Sequence, residues 1–209
     1  MDQGFHYIPY KSRRNSYIKD EETLSLLNEY SCDIQLLQQT TKAINLEIGF
    51  GAGEFILSKA IENPNNIYLG CEVYNPGIIK LVKNLKRNNI QNVLVYRGDI
   101  REFLINITNL FFNDIYILFP DPWPKKRHHK RRLINANFLQ FIRKKFRSDL
   151  HIATNHEGYA ESILHDITQS DDYKIKTLKI KKEKSFCTKF EDRAISKSSC
   201  VFYFVLNHR

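Results

Sequence analysis

The chain has 209 residues, 42% hydrophobic and 12% aromatic, and carries a formal net charge of +9. That length buries a core without disulfides and fits one domain, the composition excludes a disordered chain, and the charge points to an acidic partner such as nucleic acid. No run approaches the ~18 apolar residues of a membrane span, and no charged start leads into an export signal; the four scattered cysteines (Cys32, Cys71, Cys187, Cys200) have no zinc spacing and read as packing thiols, so a reduced, cytoplasmic, metal-free protein is expected.

Residues 1–41 form a polar extension, basic around Lys11, Arg13 and Arg14 and then acidic, with one helix over 21–30. Residues 42–209 form the folded domain, and within it strand and helix patterns alternate. A strand over 44–48 and a glycine loop precede a helix with Phe55, Ile56, Ala60 and Ile61 on its apolar side. A strand over 67–73 leads to Pro76, well placed in the first turn of a helix whose apolar face is Ile78, Ile79, Leu81, Val82 and Leu85. A third strand, 93–96, is followed by a helix through Phe103, Leu104, Ile107 and Leu110, and a fourth spans 115–119. Ile134, Phe138, Phe141, Ile142 and Phe146 mark the next helix, 150–154 the fifth strand, and Tyr159, Ile163 and Ile167 the helix after it. Strands over 173–180 and 200–206 close the chain, with no helical pattern between them. Successive β-α units make this an α/β protein: a mostly parallel twisted sheet, helices on both faces, and an antiparallel C-terminal edge pair.

In such a sheet the ligand sits outside the carboxyl ends of the strands, so those ends carry the information. The first reads Glu47-Ile48-Gly49-Phe50-Gly51-Ala52-Gly53, glycines at alternate positions that allow a tight turn and a close ligand approach. A nicotinamide fingerprint needs a further glycine at position 54 or 56; Glu54 and Ile56 stand there, and that reading fails. Glu47, Glu72, Asp99 and Asp121 end four successive strands. Each alone reads equally as a helix cap or loop charge, but together they would line one crevice. Acidic acceptors suit the hydroxyls, exocyclic amine and sulfonium of S-adenosylmethionine, whereas a phosphorylated cofactor would call for cations.

After the fourth strand comes Pro120-Asp121-Pro122-Trp123, with prolines holding the aspartate extended, then Pro124 and a burst of Lys125, Lys126, Arg127, Lys130, Arg131 and Arg132 around His128 and His129. Pro124 argues against a membrane-binding amphipathic helix there and leaves a polyanion as the partner. Trp123 either stacks on an extruded base or anchors the loop.

The strings LEIGFGAG, GCEVYNPG, RGD, FPDPWPKKRHHKRR and TKFE occur in that order. From Leu46 onward the chain resembles the bacterial tRNA (guanine-N7)-methyltransferases. The resemblance implies a Rossmann-like class I methyltransferase fold that transfers the methyl of S-adenosylmethionine to N7 of a variable-loop guanine in tRNA, as a monomer. It further implies cofactor contacts from Glu47, Gly49, Gly51, Gly53, Glu72, Asp99 and Asp121, with Asp121 also catalytic. Substrate contacts are implied for Lys125, for the segment containing Arg127, Lys130, Arg131 and Arg132, and for Thr188, Lys189, Phe190 and Glu191. Asn155 stands where the family usually has a substrate-binding aspartate. Two other readings fit the residues: methylation of another RNA or atom, and a non-catalytic RNA-binding protein on the same fold.

Overall fold

The computed structural model describes residues 20–182, 186, 188–196 and 200–209. Chain order is α1 (Glu21–Glu29), α2 (Ile34–Gln39), β1 (Ile44–Ile48), α3 (Glu54–Glu62), β2 (Ile67–Glu72), α4 (Asn75–Arg87), β3 (Val93–Arg97), α5 (Ile100–Ile105), β4 (Ile115–Leu118), a 3₁₀ segment Lys126–Arg131, α6 (Ala136–Ile142), β5 (Leu150–Thr154), α7 (Glu157–Thr168), β6 (Tyr173–Lys181), α8 (Lys189–Ser196) and β7 (Val201–His208). The strands form one seven-stranded sheet, β3-β2-β1-β4-β5-β7-β6. β1 to β5 pair in parallel, and β7 runs antiparallel between β5 and β6.

β1 is buried along its whole length, as a central parallel strand covered on both faces must be. Ile44, Leu46 and Ile48 face the core formed with α5, α6 and α7. On the opposite face Ile56 and Ala60 of α3 and Ile78, Leu81, Val82 and Leu85 of α4 close over Tyr68, Val93 and Val95, joined by Leu26 and Leu27 of α1. Each isoleucine, leucine or valine side chain so taken out of water contributes about 1.5–3 kcal/mol. The order of connections reverses between β1 and β4, which opens a crevice at their carboxyl ends.

Several expectations are corrected by packing. Ile61 lies outside the apolar face of α3 and is 53% exposed. α5 stops at Ile105, although Ile107 and Leu110 are still buried beyond it. α6 stops at Ile142, and Phe146 instead bridges Phe112 and stacks on Tyr173. Beside these corrections, the stretch after α1 meets the sheet: Val95 N–H donates to Tyr30 O at 2.7 Å and Cys32 N–H to Val95 O at 3.0 Å, which covers the free edge of β3. Lys11, Arg13, Arg14 and Cys187 lie outside the described residues; Cys32, Cys71 and Cys200 are free thiols. Among the described residues no helix is long and apolar enough to cross a membrane.

The largest correction is α8, where no helix is expected from the sequence pattern. Thr188 Oγ1 accepts the Glu191 N–H at 3.0 Å, so TKFE opens on a side-chain helix cap. The Glu191 carboxylate is fully buried and accepts the Tyr203 hydroxyl of β7 and the Phe186 N–H, the latter at 2.7 Å. Glu191→Ala strands those donors, and urea unfolding is expected to show a loss of about 1–3 kcal/mol. A loss below about 0.5 kcal/mol would show that this carboxylate does not hold α8 to the sheet.

Candidate active site

Gly49, Gly51 and Gly53 have φ of 76°, 58° and 78°, left-handed values that L side chains rarely adopt. They turn the chain from the end of β1 into α3, and Gly53 serves as the helix N-cap. Glu72, at the end of β2, holds this turn: its carboxylate accepts Gly51 N–H at 2.8 Å, Val73 N–H at 2.7 Å and Tyr74 N–H at 3.0 Å. Burial pushes the Glu72 carboxyl up, and the three N–H donors oppose that shift.

Glu47 points into the same region from β1, only 4% exposed. The Ile56 N–H in the first turn of α3 donates to it. Among the described residues, Glu47 Oε2 is the buried side-chain polar atom without a hydrogen-bond partner. Burial first, and then the Glu72 charge, push its carboxyl up to about 8. The Asp121 charge in turn raises Glu72, so these three acids share one electrostatic field. Asp99, just beyond the end of β3, is engaged by its own helix. It caps α5 through Arg101 N–H at 2.9 Å, and the Arg101 guanidinium grips it at 2.8 and 2.5 Å.

β4 ends in an unusual backbone. Phe119 (φ 54°) and Trp123 (φ 43°) are left-handed non-glycine residues on either side of Pro120-Asp121-Pro122. Asp121 is exposed between them. The indole of Trp123 is half-buried, edge-on to His128 at 5.7 Å and beneath the Arg131 guanidinium at 5.0 Å, contacts that favour the anchoring role. Lys125, Arg127, Lys130 and Arg131 face solvent. Arg132 departs from the expected cationic apron: it is buried, with Nε donating to Pro122 O at 2.9 Å and Nη1 to Gly158 O at 3.1 Å.

α8 supplies the opposite wall. Phe190, 53% exposed, lies beside the loop, its ring 3.8 Å from where a Gly51 side chain would begin. Lys189 Nζ sits 3.4 Å from Glu54 Oε1. Thr188 and Glu191 point inward as cap and strut, and Asn155 is exposed just beyond β5. One group among the described residues has metal-like spacing, Asp114, Asp149 and His151, but it lies at the amino ends of β4 and β5. There the Lys176 ammonium already binds Asp149 at 2.7 Å.

A family of putative methyltransferases matches residues 41–204. The tRNA (guanine-N(7)-)-methyltransferase of Wolbachia pipientis wMel is 36% identical over 207 residues, covering 92% of this chain and 89% of its own. The chain belongs to the tRNA (guanine-N(7)-)-methyltransferase family. A solved antibiotic-related methyltransferase matches with TM-score 0.60 at 16% identity, covering 97% of this chain and 100% of its own. TrmK of M. capricolum, solved with S-adenosyl-homocysteine, matches with TM-score 0.51 at 12% identity, covering 91% and 69%. At those identities both structures speak for the fold, that of class I methyltransferases.

Sequence reasoning passes over one residue on which this methyltransferase crevice depends. A Cβ at Gly77, in the first turn of α4, would sit 2.0 Å from the Gly51 carbonyl oxygen. Its sequence signal is its place in GCEVYNPG, two residues after the helix start. Gly77→Ala must push α4 off the loop; overpacking of this kind costs about 1–3 kcal/mol. Calorimetry is expected to show at least about tenfold weaker S-adenosylmethionine binding while circular dichroism remains native. Unchanged affinity would mean that the loop gives way without consequence.

Glu47 makes a pH-dependent prediction. Its folded pKa lies above the ordinary 4.5, so the stability associated with the protonated carboxyl is lost as pH rises through about 8. Gln at this position stays neutral. The stability of ligand-free Glu47→Gln, relative to the unaltered protein, is therefore expected to increase with pH across that window in urea titrations. A pH-independent difference would remove the shift.

Proposed function

We propose that the protein transfers the methyl group of S-adenosylmethionine to N7 of a guanine in tRNA. The observation that carries this reading is a crevice at the strand-order reversal, acidic within and basic at the rim. Glu47, with an unpartnered buried oxygen, lies inside it, and exposed Lys125, Arg127, Lys130 and Arg131 follow its wall. The cofactor fits these residues: the left-handed glycine turn bares backbone at Gly49, Gly51 and Gly53, and Glu47, Glu72 and Asp121 offer acceptors for a cationic, hydroxyl-bearing ligand. Asp99 joins them as a carboxylate oriented by Arg101. When bound, S-adenosylmethionine supplies an electrophilic methyl group on a sulfonium.

Guanine N7 presents its lone pair without deprotonation, so the reaction requires no general base. What the protein must do is align the base in line with the methyl group and accommodate charge arriving on the purine. Asp121, exposed at the end of β4, is placed to hold the N1–H and N2 amine or to stabilise the purinium. Lys125, Arg127, Lys130 and Arg131 are exposed and available to phosphates, and Lys189, Phe190 and Asn155 are exposed and available to the substrate nucleotide. Thr188 and Glu191 contribute by holding α8 in place.

Incubation with unmodified tRNA and labelled cofactor, followed by nucleoside analysis, is expected to yield 7-methylguanosine; label on another nucleoside would redirect the reading. Asp121→Asn keeps the shape and removes the charge. Single-turnover methylation is expected to slow by about 10²-fold, with cofactor and tRNA affinities changed much less. A normal rate would make this aspartate structural.

A further inference from the structure

Arg132 ends the basic run, yet among the lysines and arginines of residues 125–132 it alone is buried, at 4% exposure. Its guanidinium joins three segments. Nε donates to Pro122 O at 2.9 Å, directly after Asp121; Nη1 donates to Gly158 O at 3.1 Å, in the first turn of α7; Nη2 lies 3.2 Å from His129 Nε2 in the 3₁₀ segment. Its plane lies 4.7 Å from the centroid of the Tyr159 ring. Tyr159 is itself fully buried, and its hydroxyl accepts Ile134 N–H at 2.9 Å, so the platform is fixed.

The loop that Arg132 holds requires holding. Left-handed backbone at Phe119 and Trp123 disfavours the observed path of residues 119–123, and such conformations persist only where their surroundings over-determine them. The prolines fix φ at positions 120 and 122 but leave the loop free to pivot as a unit. A planar fork donating to carbonyls in two different elements removes that freedom, which a compact, rotatable ammonium restrains less firmly. The same contacts occupy the guanidinium, which would have to leave its buried seat to reach a phosphate.

We propose that Arg132 is a positioning residue: it clamps the Pro120–Trp123 loop to α7 and so sets the place of Asp121, without contacting the RNA backbone. The proposal rests on the methyl-transfer reading above. Trp123 is the single tryptophan of the chain and lies in the clamped loop, so its emission reports the clamp in the absence of any substrate.

Arg132→Lys is expected to red-shift Trp123 emission and increase its quenching by acrylamide. At saturating tRNA, kcat should fall by at least about tenfold, with KM nearly unchanged. The salt dependence of tRNA binding should keep its slope, whereas Arg127→Ala should lose about one unit of slope and leave the emission unaltered. Any one of three results overturns the proposal: a slope reduced in Arg132→Lys, an unaltered emission, or an unaltered kcat. If the unaltered protein does not methylate tRNA, the methyl-transfer reading fails, while the emission arm still tests the clamp. Should Arg132→Lys not fold, Arg132→Gln keeps a planar donor in the same seat but cannot reach both carbonyls, and is expected to give the same changes, with the same three results counting against the idea.

Discussion

The carboxylate of Glu72 gathers three backbone N–H groups from two separate stretches of chain, the turn after β1 and the start of the connection after β2. Those donors face a crevice in which neighbouring backbone offers them no carbonyl, and an unpaired buried N–H is costly. Satisfying them from one side chain fixes the glycine turn against the mouth of α4, close enough that Gly77 has no room for a side chain. The shape of the crevice follows from that tie: with the turn held, α3 begins where Glu47 can accept from Ile56 N–H, and Glu47 keeps one oxygen for a ligand.

Charge is sorted by depth. The acids Glu47 and Glu72 lie inside, where burial raises both carboxyls, and a cationic ligand would relieve the repulsion between them. The cations that face water, Lys125, Arg127, Lys130 and Arg131, lie along the rim, where they carry their charge at little desolvation cost. Two arginines break the pattern in the same way. Arg101 and Arg132 are buried, and each spends its planar fork on the protein itself, on the Asp99 carboxylate and on the carbonyls around Asp121.

α8 shows how a string expected from the sequence to bind substrate can also be architecture. The Thr188 hydroxyl caps the helix and Glu191 ties it to β7, two inward-facing roles, while Lys189 and Phe190 between them point outward over the glycine turn. A side-chain cap fixes the first turn of a helix, and the first turn is what presents Phe190 beside Gly51. Two residues of the string hold the helix and two face the crevice.

The parallel strands and the helices between them were legible from period and punctuation alone, because a strand covered on both faces has to be continuously apolar and its crossover helix amphipathic. The glycine turn and the acids at the strand ends were legible for a related reason: left-handed backbone favours glycine, and the topology of an α/β sheet brings strand ends together. What the linear pattern could not decide is where a charged side chain turns. Arg131 and Arg132 are adjacent and chemically identical, yet one covers Trp123 at the surface and the other is sealed beneath the loop. The difference is made by the Pro122 and Gly158 carbonyls and the Tyr159 ring, partners up to 27 residues away in the chain that only the folded sheet brings within reach. α8 was hidden for a similar reason: its apolar face is short, and the buried Glu191 at its heart is polar, stabilised by a tyrosine hydroxyl from another strand. Composition and period set the fold because they act through burial averaged over many residues; the direction of a single charged group is set by a few hydrogen bonds, and those exist only once the tertiary structure has formed.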